Sequence, residues 1–343
     1  MLQKTMKAAI LKEFHSDLII ETVPIPSPGH GEVLVRVKAS GLCASDLHIQ
    51  DGMLPTVTLP FTPGHEMAGI VEELGEGVTG LSVGEHVVCA IDITCGVCRF
   101  CRRGKQNLCK SLVRIGFERN GSHEQYCVVP AENLFPIRRD IPFAQAAIIP
   151  DAVVCMYHAI KNQGKVTAGD RVLLLGVGGL GLQGVQIARY FGAQVYATSR
   201  QDKKLEIAKQ FGAHGVINTR TQDLIEEISR LTQGEMCDVI FDNIGIQTSI
   251  ETCLSVLRPG GKIVVVGYND SQFTASYQDL VIREKEIIGI RGSTRQDLAE
   301  AIRLVEDGIV TPYVSNTFSL EEINAGLHCL RRGESFGRTV VLM

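Results

Sequence analysis

The six residues GVGGLG at 176–181 follow directly on the apolar run Val172–Leu175 and lead into LQGVQIARYFG, which has helical spacing. A lone glycine pattern says little, but strand, glycine turn and helix in that order leave few folds open. Gly176 permits the tight turn, Gly178 lets backbone approach a pyrophosphate, and Gly181 lets helix and strand pack closely. The start of the helix adds free N–H groups and a positive dipole end. VYATSR, KKLEIAKQFGA, GVINT, DLIEEISRLT, CDVIFDNIG, TSIETCLSVLRPGG and KIVVVGY continue the alternation. This predicts a parallel sheet with helices on both faces, built to hold a dinucleotide.

Upstream of about residue 145 the pattern differs. MKAAIL, LIIETV, EVLVRVKAS, GIVEEL, HVVCAI and EQYCVVP are short strand-like runs separated by Gly/Pro turns, with little helical periodicity before residue 143. AQAAIIPDAVVCMYHAIK then reads as helical. Past about residue 288 come a helix at DLAEAIRLVEDG, another at SLEEINAGLHCLRRGES, and a closing strand, GRTVVLM. Ser319 and Glu322 have the spacing of a capping box. The 343 residues therefore divide into two domains, as expected at roughly 100–200 residues each. No repeats or low-complexity tracts occur.

CGVCRFCRRGKQNLC, residues 95–109, places Cys95, Cys98, Cys101 and Cys109 at spacing C-x2-C-x2-C-x7-C. Disulfides between its near neighbours would close strained, very short loops. Eleven cysteines is also an odd number for a closed disulfide set. The N-terminus has no signal-peptide pattern, and no window approaches the roughly 18 apolar residues of a membrane span. The expected compartment is the cytoplasm, where thiols stay reduced and clustered cysteines favour a metal. Four thiolates suit a closed, structural zinc site, with an iron–sulfur cluster as the competitor. Gly96 and Gly104 suit its tight backbone, and Arg102, Arg103 and Lys105 offset its charge. The net charge of −4, with no long basic block, argues against a nucleic-acid partner.

The second strand of the dinucleotide unit ends in Thr198, Ser199 and Arg200, where an NAD site places an acid for the ribose 2′-OH. Ser199 and Arg200 can bind a 2′-phosphate, which favours NADP(H) over NAD(H). Asp202, just beyond, keeps NAD(H) open. The candidate cofactor set is Gly176, Gly178, Gly179, Leu180, Gly181, Ser199, Arg200, Lys204 and Gly267. Elsewhere SGLCASDLH holds Cys43, Ser45, Asp46 and His48, PGHEMAG holds His65 and Glu66, and IIPDAVVCMYHA holds Asp151 and Cys155. An open catalytic zinc needs about three protein ligands, and Cys43 and His65 could supply two.

GLCASDLH, GHEMAG, the four-cysteine stretch and GVGGLG, in that order, resemble the zinc-dependent medium-chain alcohol dehydrogenases over essentially the whole chain. The resemblance implies an α/β protein with a GroES-like β-rich catalytic domain, 1–147 and 288–343, carrying a structural zinc lobe at 92–112. A Rossmann doubly wound parallel-sheet domain would span 148–287. It implies two Zn²⁺ per chain. Cys43, His65, Asp151 and, as an alternate ligand, Glu66 would form the catalytic zinc site, and Cys95, Cys98, Cys101 and Cys109 the structural one. Asp46 would orient the zinc-bound histidine, Ser45 and His48 would relay a proton, and Arg338 would lie near the cofactor pyrophosphate. Leu54 and Ile91 would line a pocket for an alcohol, aldehyde or ketone. Ile91 in place of a large aromatic, and a chain without Trp, point to secondary, cyclic or bulky alcohols. The implied assembly is a homotetramer, with a dimer as the alternative. Rival readings are a polyol or sugar dehydrogenase, a reductase of activated double bonds, and a dinucleotide-binding protein without catalysis.

Overall fold

A computed structural model describes residues 4–270 and 272–343. The chain forms two compact units, 1–154 with 293–308 and 312–343, and 155–292 with 309–311. The main seams between these units fall at 154/155 and 292/293; the family resemblance implies domain boundaries at 147/148 and 287/288.

The second unit contains a six-stranded parallel sheet. Across it the strands run Gly215–Asn218, Gln194–Ser199, Arg171–Leu175, Cys237–Asp242, Leu257–Val265 and Glu286–Gly289. This is the doubly wound order, and the reversal lies between Arg171–Leu175 and Cys237–Asp242, where such sheets open a ligand crevice. Cys237–Asp242 is buried along its whole length, as a strand covered on both faces must be. Leu173, Tyr196, Ile217, Ile240, Ile250 and Ile263 share one of the clusters that form its core.

The first unit is built on the eleven-residue strand Glu32–Leu42. Glu66–Leu74, Tyr126–Pro130 and Arg338–Leu342 all pair with it antiparallel. The last of these carries the C-terminus into the first unit. Ser319 and Glu322 form the expected capping box, Glu322 accepting from the backbone N–H and the hydroxyl of Ser319.

Two local features depart from the sequence reading. A helix, Ala44–Gln50, follows the central strand at once; it is too short to show periodicity and is started by the Cys43 N–H donating to Asp46 Oδ2 at 2.8 Å. The helical stretch near residue 150 is interrupted by π turns at Ile149–Val153 and Ala159–Gly164. Pro150 lacks an N–H, and the Val153 N–H reaches back five residues to the Ile148 carbonyl. Asp151 sits in that widened turn.

Residues 62–64 and 121–123 are laced together. Gly121, Ser122 and His123 donate backbone N–H groups to the carbonyls of Thr62, Gly64 and Pro63. The contact is so close that a Cβ on Gly121 would stand 1.9 Å from the Gly64 oxygen. Gly121→Ala should therefore cost about 1–3 kcal/mol of stability, as overpacking does, read as a lowered Tm; an unchanged Tm would show that this segment yields freely.

Candidate active site

Three chain segments converge in the first unit. Cys43 caps the helix that leaves the central strand, and Glu66 begins the neighbouring strand with His65 just before it. Asp151 arrives on the π turn. One ligand atom from each of Cys43, His65, Glu66 and Asp151 lies within 4.8 Å of the others. Cys43 Sγ is 3.5 Å from Asp151 Oδ2, and His65 Nε2 is 3.9 Å from the same oxygen. Gly41, opposite Glu66 in the strand pair, leaves the space that its carboxylate fills.

Behind His65 lies Asp46, buried like it. His65 Nδ1 stands 3.6 Å from Asp46 Oδ1, and the His65 ring leans on Phe117 with centroids 4.9 Å apart. Burial opposes the Asp46 charge, but the imidazoles of His65 and His123 outweigh it and hold the carboxyl far below its usual range. Burial pushes the Glu66 carboxyl up, against the pull of Arg338.

Arg338, expected beside a cofactor pyrophosphate, is buried against this cluster. Its guanidinium pairs with Glu66 and Asp151 and reaches Cys43 Sγ at 3.3 Å. Ser45 Oγ is 3.7 Å from Cys43 Sγ. Ser45 and His48, three residues apart on one short helix, share a face. Leu54 and Ile91 are half-buried against the apolar cluster that includes Leu42, Ile49 and Phe117.

Thiolate, imidazole and carboxylate donors within reach of one another suit zinc. The orphaned polar atoms behind them fit too: His65 Nδ1 and Asp46 Oδ1 are buried without a hydrogen bond, and a metal on the far nitrogen would fix the hydrogen on Nδ1.

The four-cysteine stretch closes on itself. Cys95 and Cys109 sulfurs are 3.5 Å apart, Cys98 and Cys101 sulfurs 3.6 Å, and all four lie within 4.8 Å of one another. None is in a disulfide. A tetrahedron with Zn–S of about 2.3 Å has edges of about 3.8 Å. Backbone N–H groups of Cys101 and Lys110 pull the Cys98 thiol down to about 6, toward the thiolate a metal needs. Gly96 and Gly104 both take the left-handed conformation.

In the second unit, Gly176 has φ of +85° and ends Arg171–Leu175. Its N–H donates to Thr198 Oγ1 at 2.9 Å, and its carbonyl accepts from Asn243 Nδ2 at 3.1 Å. A Cβ on Gly181 would stand 2.5 Å from that carbonyl, whereas one on Gly178 would meet nothing within 4 Å. The turn is thus tied down from below and open above, as a bound pyrophosphate requires. Gly267 packs closely on Asn243. Arg200 is exposed, Lys204 is half-buried, and Asp202 Oδ1 accepts from Asn218 Nδ2 at 2.6 Å.

Sequence reading missed His123, Thr198 and Asn243 as members of these sites. Only Thr198, at a strand end, carried a positional signal.

Residues 29–139 match the alcohol dehydrogenase GroES-like domain, and 179–307 the zinc-binding dehydrogenase family. An alcohol dehydrogenase of Geobacillus stearothermophilus is 36% identical over 98% of this chain and 99% of its own. An NAD-dependent alcohol dehydrogenase of Sulfurisphaera tokodaii is 32% identical over 98% of this chain and 100% of its own. A solved zinc-binding dehydrogenase from Sinorhizobium meliloti 1021, bound to NADP, superposes with a TM-score of 0.92 at 28% identity, covering 99% of this chain and 100% of that one. The chain belongs to the zinc-dependent medium-chain alcohol dehydrogenase family and is an oxidoreductase. No helix among the described residues is long and apolar enough to cross a membrane.

Replacing Cys109 by serine should release one zinc per chain and lower Tm while a second zinc stays bound. Metal analysis that finds iron and sulfide, or no change in zinc content, would contradict a tetrathiolate zinc lobe.

Proposed function

We propose that the protein interconverts secondary, cyclic or other bulky alcohols and their carbonyl compounds, with NADP(H) as the preferred cofactor. The observation that carries this reading is the donor set of buried Cys43, His65 and Glu66 with half-buried Asp151, and Ser45 beside it. When bound, zinc supplies a Lewis acid for the substrate oxygen and the dinucleotide carries the hydride. The chain's own residues do the rest. Cys43, His65 and Asp151 hold the metal, with Glu66 as an alternate donor, and Asp46 fixes the His65 ring. Ser45 Oγ takes the hydroxyl proton of the alcohol, and His48 on the same helix face is the outer end of the relay. Arg338 balances the charge of the acidic donors.

Support for NADP(H) comes from Arg200, just past the second strand, with Lys204 in the helix that follows, and from the engagement of Asp202 with Asn218. The name of the Sulfurisphaera relative supports NAD(H) as the second reading. Ile91 and Leu54 leave aliphatic wall for a large substrate; ethanol would forfeit about 0.8 kcal/mol for each buried methylene it lacks. We read the assembly as a homotetramer in the cytoplasm.

A panel of ethanol, 2-butanol, cyclohexanol, benzyl alcohol, a polyol and an enone, each with both cofactors, tests this reading. 2-Butanol or cyclohexanol with NADP⁺ should give the highest kcat/KM. Reduction of the enone without alcohol oxidation would move the protein to the double-bond reductases. Arg200→Ala should weaken NADPH but not NADH by about 1.5–3 kcal/mol, the worth of a hydrogen bond to a charged group, or roughly ten- to a hundredfold. Equal losses would make Arg200 plain surface charge.

Ser45→Ala should slow alcohol oxidation about 10²–10⁴-fold with zinc retained, the usual range for positioned proton transfer. An unchanged rate, with a deuterated alcohol showing that chemistry limits turnover, would remove Ser45 from the relay.

A further inference from the structure

Asp46 is faced by two histidines. Its Oδ2 is occupied by the Cys43 N–H at 2.8 Å. Its Oδ1 stands 3.6 Å from His65 Nδ1 and also 3.6 Å from His123 Nε2. All three of these atoms are buried without a hydrogen bond. A gap of 3.6 Å is too long for a formed bond, and closing it by about 0.7 Å would make one.

The far side of His123 is settled. Nδ1 lies 2.9 Å from Ser40 Oγ, which lies 2.6 Å from Ser122 Oγ. Ser40, Ser122 and His123 are all fully buried. For a neutral imidazole only one direction of donation suits every atom. Ser122 donates to Ser40, Ser40 donates to Nδ1, and Nε2 then carries its hydrogen toward the carboxylate. The opposite tautomer would point a lone pair at Asp46, leaving two acceptors face to face.

The main chain of His123 is also held: its backbone N–H donates to the Pro63 carbonyl, two residues before His65, and its backbone carbonyl accepts from the Ala9 N–H. Gly64 lacks a Cβ where the imidazole lies; a Cβ there would stand 2.7 Å from His123 Nδ1.

We propose that His123 is a positioning residue for the catalytic zinc, its Nε2–H fixing the Asp46 carboxylate that in turn orients His65. The inference rests on the zinc reading of the Cys43–His65–Glu66–Asp151 cluster. His123 is far from that cluster in sequence and donates nothing to the metal. Its effect passes through Asp46. Groups one step behind a metal ligand, as Asp46 is, typically change metal affinity about 10–100-fold when removed, and His123, one step further back, should act near the lower end of that range.

The test is chelator competition on the folded two-zinc protein, following zinc per chain. His123→Phe should give up one zinc at about 10-fold lower chelator strength or more, with the other zinc unmoved. His123→Gln, whose amide N–H can reach the carboxylate, should recover most of that loss. A merely structural role would lower Tm and leave both zinc affinities at the wild-type value, which would overturn the proposal. Should His123→Phe fail to fold, Ser40→Ala decides: it keeps the imidazole but removes the donor that sets its tautomer. A weaker hold on one zinc supports the proposal, and unchanged affinity overturns it. Wild-type protein that binds only one zinc overturns the zinc reading itself; two zincs indifferent to His123 and Ser40 overturn this inference alone.

Discussion

The Asp46 carboxylate is the constraint on which the first unit's chemistry depends. One oxygen accepts the Cys43 N–H and so starts the helix that presents Ser45 and His48. The other faces the imidazole of His65. The donor atoms come from three distant chain segments, so no local loop holds them together, and ordering each costs conformational entropy. A single buried charge that both begins the helix and aims the ring couples two of those segments. The charge is tolerable there because imidazoles stand on two sides of it and a backbone N–H on a third.

What could be read from sequence follows from how local each device is. The glycine turn lies within six residues and the four thiols within fifteen, so spacing alone exposes both. Cys43, His65 and Asp151 are far apart in the chain, and no periodicity joins them; only the resemblance to a family did so. The helix at Ala44–Gln50 was hidden because seven residues carry too little pattern. The π turn under Asp151 was hidden because Pro150 changes the hydrogen-bond ladder without disturbing the apolar pattern. His123 was invisible for a different reason. Its partners are set by the lacing of Thr62–Gly64 to Gly121–His123, a long-range pairing whose only local trace is a pair of glycines.

Those glycines show how the two units solve one problem differently. In the second unit, Gly176 and Gly181 bring helix and strand together below the turn and leave the face above Gly178 open. Space is cleared for something that arrives from outside. In the first unit, Gly64 and Gly121 clear space for the protein's own groups, the His123 ring and the Gly64 carbonyl. A side chain at either pair would displace backbone, yet only the first pair has the known signature of a ligand turn.

Charge explains why an arginine sits against Cys43, Glu66 and Asp151. Cys43, Glu66 and Asp151 bring as many as three negative charges together when all are ionised, and all three touch Arg338. Three anions around a divalent ion alone would leave a negative centre, which would repel a substrate oxygen gaining negative charge as its proton leaves. On the proposed reading, Arg338 sets a further positive charge against the acidic donors before substrate binds and so reduces that negative excess. In a buried setting that difference is large, because a low local dielectric magnifies each uncompensated charge. Among the described residues, the four-thiol lobe has no such buried cation against its thiols. Its basic residues, Arg102, Arg103 and Lys105, are exposed, and its sulfurs are satisfied by backbone N–H groups. A site that only holds its metal can remain negative; one that must draw charge onto a substrate is better served by a buried cation beside the ligands.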